Sequence, residues 1–216
     1  MIITNFKTYE SATAENAVKL ARIHEEVADE LNADIRICVQ ATDIAAVSDA
    51  VTIPVYAQHV DYAGYGSSTG HIIPEAVQLA GAGGTILNHS ERRLDKETLK
   101  KTIVRCKELG LFTIVCAETP EEGASFLKFN PDLIAVEPPE LIGGDISVST
   151  AKPEIIKNAV KLIGGDKLLV GAGVKNGKDV KIAIKLGARG VLLASGVTKA
   201  SNPKAVLMDL AKGLKD

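Results

Sequence analysis

Apolar, strand-forming runs alternate with helical patterns along the whole chain. Eight of these runs are continuously apolar rather than alternating, which is typical of strands covered on both faces. They are MIITNF, IRICVQ, IPVYAQ, GTILNH, LFTIVCA, DLIAVE, KLLVGA and RGVLLAS. Apolar residues at helical spacing lie in between, over residues 13–31, 94–109, 119–128, 152–163, 177–186 and 203–214. This alternation predicts an α/β fold with a parallel sheet.

The glycines indicate how that sheet is arranged. Eight strand–helix units in 216 residues leave about 27 residues each, so a (β/α)₈ barrel must be compact, with shortened helices. An open doubly wound sheet fits the alternation equally well. However, Gly171, Gly173 and Ser195-Gly196 follow the seventh and eighth runs, where barrels bind phosphate, and no glycine-rich turn follows the first. We therefore predict one (β/α)₈ barrel domain over residues 1–216.

Composition and charge point to a small-molecule partner. The formal net charge is −2, with Lys and Arg spread along the chain, so nothing favours nucleic acid or a membrane surface. No apolar run approaches the roughly 18 residues that a membrane span requires. The segment MIITNFKTYE carries no export signal, and we expect a cytoplasmic location.

The cysteines and histidines do not predict a metal site. Cys38, Cys106 and Cys116 form no CxxC pair, and their spacing makes no plausible zinc cluster with the four histidines. We expect three reduced thiols packed in the interior and no bound metal. His24, within the first helical pattern, is expected at the helix surface or edge.

Polar residues at the ends of three runs are the candidates for chemistry. In (β/α)₈ barrels the active site gathers at the carboxyl ends of the strands. Asn5 and Lys7 end the first run, His89 and Glu91 follow the fourth, and Glu137 ends the sixth. Lys7 has the alternative of a solvated lysine, and His89 that of a structural histidine. Glu137 is harder to assign a structural role, because an ionised glutamate rarely ends a buried strand without a partner or a task.

The glycine-rich stretches favour an anion site over a nucleotide cofactor. VGAGVKNG has the spacing G-x-G-x-x-x-G, and no acidic residue ends the next run, so it does not match a dinucleotide fingerprint. No cofactor is expected. Small residues near Gly171, Gly173, Ala194 and Ser195 allow backbone amides to approach a phosphate. A simple helix-entry role is the alternative for Gly173.

Several motifs together indicate a family. NFKTY (5–9), NHSERR (88–93), AVEPPELIG (135–143), GAGV (171–174) and GVLLASGV (190–197) occur in the order and at the strand ends of the triosephosphate isomerases. The chain resembles the short archaeal members of that family along its whole length. The resemblance implies interconversion of glyceraldehyde 3-phosphate and dihydroxyacetone phosphate in glycolysis and gluconeogenesis. It also implies a homo-oligomer, with a tetramer favoured over a dimer.

The resemblance assigns a role to each strand-end residue. It implies that Glu137 is the base that moves a proton between two carbons, and that His89 is a neutral electrophile that polarises the carbonyl. Lys7 is the cation that favours the anionic substrate and enediolate, Asn5 hydrogen-bonds the substrate oxygen, and Glu91 supports the set from behind.

Two expectations concern the surroundings of these residues. A helix beginning at SERRL (90–94) would keep His89 neutral through its positive end. Residues 137–147 are expected to form a lid, with Leu141-Ile142 as its apolar tip and the amides of Gly143 and Gly144 binding phosphate. Where the family usually has Gly-Thr-Gly, this chain has Gly143-Gly144-Asp145, and we expect Asp145 to face solvent.

Two other functions fit part of the pattern. Another sugar-phosphate isomerase or epimerase barrel would share GAGV and LLASG. A non-catalytic phosphometabolite-binding protein is suggested by the Gly144-Asp145 departure. The set Asn5, Lys7, His89 and Glu137 favours the isomerase over both.

Overall fold

Eight parallel strands close into a barrel in this computed structural model, which describes residues 1–138 and 153–215. The strands follow the order of the chain, and the eighth pairs with the first. They are β1 Ile2–Asn5, β2 Ile35–Val39, β3 Val55–Ala57, β4 Gly84–Leu87, β5 Phe112–Ala117, β6 Leu133–Val136, β7 Leu168–Gly171 and β8 Gly190–Leu193. All eight predicted strands and the (β/α)₈ barrel are confirmed, and the open doubly wound sheet is excluded.

Helices connect the strands around the outside. Within the described part of the chain they are α1 Glu15–Leu31, α2 Ile44–Ser48, α3 Pro74–Leu79, α4 Lys96–Glu108, α5 Pro120–Phe126, α6 Pro153–Ile163, α7 Gly177–Lys185, α8 Ser195–Thr198 and α9 Pro203–Lys212. The six predicted helices are confirmed, whereas α2, α3 and α8 are too short to show a helical period. None of the described helices is both long and apolar enough to cross a membrane.

Side chains of the strands alternate between two apolar layers. Ile2 packs in the large layer between strands and helices, and Ile3 packs inside the barrel. This alternation follows from the two-residue period of a strand, and it requires apolar residues on both faces. Cys38 and Cys116 lie inside the barrel and Cys106 lies in the outer layer, all three free and buried. The prediction of reduced interior thiols is confirmed.

His24 is fully buried in α1, so the expectation of a surface position was wrong. Its Nδ1 donates to the carbonyl oxygen of Leu20 at 2.8 Å, and its ring lies 5.2 Å from that of Phe6. Burial lowers the pKa of His24 from 6.5 to about 4, with the Leu20 hydrogen bond opposing that shift. The residue occupies the apolar stripe of the helix, between Leu20 and Val27.

Candidate active site

The residues that follow β1 are held in an unusual backbone conformation. Lys7 has a φ of 49°, in the left-handed region that side chains seldom adopt. Its N–H donates to Asn5 Oδ1 at 3.0 Å, and its carbonyl accepts from Gln58 Nε2 at 2.9 Å. These two hydrogen bonds fix the turn, and they leave Asn5 Nδ2 as the group of that side chain that can donate to a ligand.

Asn88 braces the turn that follows β4. It has a φ of 60°, and its side chain donates to the carbonyl of Cys116 at 2.9 Å and accepts from Leu94 N–H at 2.9 Å. The side chain therefore ties the end of β4 to β5 and to the start of the α4 connection. His89, the next residue, is buried at the mouth of the barrel.

A single amide sets the tautomer of His89. The N–H of Glu91 donates to His89 Nδ1 at 3.2 Å. Because a backbone N–H only donates, Nδ1 of the neutral ring accepts, and the ring proton lies on Nε2. The expected helix beginning at SERRL is wrong: α4 begins at Lys96, where Asp95 accepts amide hydrogen bonds as its N-cap.

Glu137 follows β6 and turns back into the mouth. It is 7% exposed, and its Oε2 has no hydrogen-bond partner among the described residues. That oxygen lies 3.9 Å from His89 Nε2. Burial, together with the charge of Glu137, raises the pKa of the Cys116 thiol well above its ordinary value, so the thiol remains protonated beside the carboxylate. The result is a desolvated carboxylate that faces a ring N–H.

Gly171 makes room for that carboxylate. A Cβ at this position would lie 2.5 Å from Glu137 Cγ and 2.9 Å from Glu137 Oε1. Gly171 itself is not among the residues that line the cavity at the mouth. Its missing side chain therefore leaves the space that Glu137 occupies.

One cavity brings the predicted residues together. Asn5, Lys7, His89 and Glu137 line it together with Gly173, Ala194 and Ser195. Ala172 and Gly173, which also line it, have φ values of 107° and 69°. The predicted phosphate ligands Gly143 and Gly144, Asp145 and most of the expected lid lie outside the described residues.

Glu91 supports the site from its exposed rim. Its Oε1 lies 2.7 Å from Lys7 Nζ and its Oε2 lies 3.6 Å from His89 Nδ1, but its side chain is 61% exposed. It lines a second cavity next to the first, which shares Asn5, Lys7 and His89. We expected support from behind, and the contacts come instead from the solvent side.

Sequence reasoning missed some residues of the mouth. Tyr9, Val174 and Lys175 also line the first cavity, and Gln58 holds the carbonyl of Lys7. Gln58 directly follows β3, so the strand-end rule would have found it. The other three lie in connecting segments and have no comparable signal.

The charges at the mouth suit the removal of a proton next to a carbonyl. A buried carboxylate can accept the proton, and a ring N–H and an ammonium can stabilise the oxygen that becomes negative. Within residues 1–138 and 153–215, no group of three or more His, Cys, Asp or Glu side chains is placed to hold a metal ion.

Comparisons with known proteins agree with this geometry. A family model described as triosephosphate isomerase matches residues 1–213. The chain is similar to the triosephosphate isomerase of Methanobacterium bryantii, at 46% identity over 214 residues, which cover 97% of this chain and 95% of the relative. It is 45% identical to that of Methanocaldococcus jannaschii over 216 residues, which cover 98% and 99%. The crystal structure of triosephosphate isomerase from Bartonella henselae matches with a TM-score of 0.77 and 19% identity over 100% of this chain and 98% of that one, a likeness of fold.

Proposed function

The chain belongs to the triosephosphate isomerase family and is an intramolecular aldose–ketose isomerase, and we propose that Glu137, His89 and Lys7 carry its reaction. That reaction interconverts D-glyceraldehyde 3-phosphate and dihydroxyacetone phosphate through an enediol(ate). The observation that carries the proposal is the convergence of Glu137 Oε2 and His89 Nε2, 3.9 Å apart, in one cavity with Lys7.

Glu137 is the base in this proposal. Its unpaired oxygen takes the proton from the carbon next to the substrate carbonyl, and the electrons of that C–H bond form the carbon–carbon double bond of the enediolate. The carboxylate then returns a proton to the neighbouring carbon, while the hydroxyl proton moves from one oxygen to the other and the first carbon becomes the carbonyl. Because Glu137 is almost fully buried, little water competes for the oxygen that accepts the proton.

His89, Lys7 and Asn5 stabilise the oxygens of the enediolate. His89 presents its Nε2–H to the substrate, since Nδ1 is occupied by the amide of Glu91. The ammonium of Lys7 offsets the negative charge, and Glu91 holds that ammonium at 2.7 Å. Asn5 donates from Nδ2, because its Oδ1 accepts from Lys7 N–H. Such preorganised donors are effective in a site that excludes water.

We also propose that backbone amides bind the substrate phosphate. Gly173, Ala194 and Ser195 line the same cavity as Glu137 and His89. Gly143 and Gly144 complete the set in this proposal, and Gly171 precedes Gly173 in the chain and leaves room for Glu137. Measurement of inorganic phosphate as a competitive inhibitor tests it, and an absence of competition would contradict it.

Replacement of the base tests the catalytic proposal. We expect Glu137→Asp to lower kcat by about 10²- to 10⁴-fold in an assay coupled to a dehydrogenase, because the shorter side chain withdraws the carboxylate from the substrate carbon. The matched control is Glu118→Asp, which shortens a glutamate that also directly follows a strand but lies outside the cavity. It should change kcat less than about twofold. Wild-type turnover by Glu137→Asp would contradict the role of Glu137, and binding without turnover by the wild type would indicate the phosphometabolite-binding alternative.

Three further proposals concern the whole chain. We propose a homotetramer, supported by exposed apolar side chains such as Tyr65 (74%) and Leu79 (80%). Light scattering should give a mass of about four times 22.7 kDa, and a mass of 22.7 kDa would contradict this.

We propose a single domain over residues 1–216, which predicts one cooperative unfolding transition. We also propose a cytoplasmic location, where the substrates of glycolysis occur; cell fractionation tests it.

A further inference from the structure

The segment 172–176, which we call the β7–α7 loop, forms one wall of the substrate cavity. Ala172, Gly173, Val174 and Lys175 all line that cavity. Two successive residues, Ala172 and Gly173, have positive φ values of 107° and 69°. An alanine at such a φ is strained, so this conformation persists only if the surroundings hold it. The contacts that hold the loop therefore decide where its amides lie.

Two carboxylates hold the far end of the β7–α7 loop. Lys175 N–H donates to Asp179 Oδ2 at 3.0 Å, and Gly177 N–H donates to Asp209 Oδ2 at 2.7 Å. Asp179 belongs to the first turn of α7, and its own N–H donates to Asn176 Oδ1 at 3.0 Å. That pair is local to the helix start. Asp209 is different, because it comes from α9, 32 residues further along the chain.

The two helix ends are in direct backbone contact at this point. A Cβ on Gly177 would lie 2.3 Å from the carbonyl oxygen of Asp209, and a Cβ on Gly213 would lie 2.2 Å from the carbonyl oxygen of Gly177. Glycine at both positions allows this approach. With no side chain between the backbones, the end of α9 fixes the start of α7, and therefore the end of the loop.

The carboxylate of Asp209 also occupies an amide that would otherwise attract an anion. Gly177 is the first residue of α7, where unpaired N–H groups and the helix dipole favour negative charge. The carboxylates of Asp209 and Asp179 already accept hydrogen bonds from amides in this region. The substrate phosphate is consequently left to amides nearer the barrel, at Gly173 and Ser195.

We propose that Asp209 is a positioning residue for phosphate binding. It does not line the cavity, and it acts through the amide of Gly177 and the β7–α7 loop. The inference rests on the proposed function, since it concerns how the same site holds its phosphate. It predicts that removal of the carboxylate weakens phosphate binding while the proton transfer at Glu137 and His89, which follow other strands, continues.

Two variants of Asp209 test the inference. In Asp209→Ala we expect the KM for the triose phosphate and the inhibition constant of inorganic phosphate to rise together, by about three- to tenfold, with kcat changed less than about twofold. In Asp209→Asn both constants should return to near the wild-type values, because the amide oxygen still accepts from Gly177 N–H. The control is Asp29→Ala on α1, another exposed helical aspartate, which should change neither constant.

The outcomes separate positioning from simple stabilisation. A lower thermal midpoint in Asp209→Ala with an unchanged phosphate inhibition constant would overturn the proposal, as would an Asp209→Asn variant as weak as Asp209→Ala. If Asp209→Ala does not fold, Asp209→Ser carries the same expectation, since its hydroxyl is too short to reach the amide. A wild type that binds phosphate without turnover would contradict the proposed function, and the phosphate dissociation constants of the wild type and the variants, measured by calorimetry, would still decide the role of Asp209.

Discussion

At the scale of single residues, the site depends on the missing side chain of Gly171 as well as on the side chains that line the cavity. Gly171→Ala would place a Cβ 2.5 Å from Glu137 Cγ, a distance that real side chains do not adopt. Since Glu137 must move away from that Cβ, we expect its carboxylate to be displaced from the substrate carbon. A displacement of about 1 Å can cost about 10²-fold in rate, so kcat should fall by that order. Steady-state kinetics measures it.

Gly83→Ala is the matched control for that substitution. A Cβ there would lie 3.7 Å from the ring of Tyr56, an ordinary contact, and Gly83 is remote from the cavity. We expect its kcat to stay within about twofold of the wild type. If Gly171→Ala retained wild-type kcat as well, the position of the Glu137 carboxylate would not depend on the space at Gly171.

His24 predicts a pH dependence of stability. Its pKa is 6.5 ordinarily and about 4 in the folded chain, so between these values the unfolded chain binds a proton that the folded chain does not. The free energy of unfolding should therefore fall as the pH drops from 6.5 towards 4, by up to roughly 3 kcal/mol from this residue. Urea unfolding at several pH values measures it.

The variant His24→Leu isolates this contribution from the acidic residues. The free energy of unfolding of this variant should depend less on pH between 6.5 and 4. Above pH 7, the difference in that free energy between the variant and the wild type should no longer change with pH. An identical pH profile for the two proteins would show that His24 is not buried as a neutral ring.

The sequence predicted which polar residues meet at the mouth because they obey one rule. Asn5, Lys7, His89 and Glu137 all stand at strand ends, and parallel strands bring those ends to one mouth. His24 was misplaced because histidine is usually polar and exposed, although its spacing from Leu20 and Val27 puts it in the buried stripe. Periodicity was the better guide there than residue type.

At the scale of elements, local signals predicted the long helices and failed at short connections. α2 and α3 are five and six residues long, which is less than two helical turns, so they show no apolar period. The start of α4 was placed too early, although Asp95 followed by Thr98 is an N-cap signal. As a result, the His89 ring is contacted by the amide of Glu91 and not by the end of a helix.

Contacts between distant elements had no signal at all. Nothing near Asp209 in the sequence marks it as a partner of Gly177, because the two meet only after α9 packs beside α7. The strand-end rule would have found Gln58 itself, but not its contact with Lys7, 51 residues away. Sequence patterns locate strand ends, but packing decides which side chains then hold the loops.

At the scale of the whole molecule, closure of the barrel brings the two walls of the site together. β1 leads to Asn5 and Lys7, β8 leads to Ala194 and Ser195, and these two strands pair with each other. In an open sheet they would lie at different positions, and the cavity would not form. The glycines after the seventh and eighth runs indicated this closure, but they could not predict the register of the pairing.

Gly190→Ala tests how much depends on that closure. A Cβ there would lie 2.2 Å from the carbonyl oxygen of Met1, which accepts from Val191 N–H at 3.1 Å. The strands β1 and β8 must then separate locally, and overpacking of this kind costs about 1–3 kcal/mol, which urea unfolding measures. Because these two strands lead to Asn5 and Lys7 and to Ala194 and Ser195, all of which line the cavity, KM should rise in the protein that remains folded, whereas Gly83→Ala should change neither quantity. A destabilised variant with an unchanged KM would show that the mouth does not depend on the β1–β8 pairing at its base.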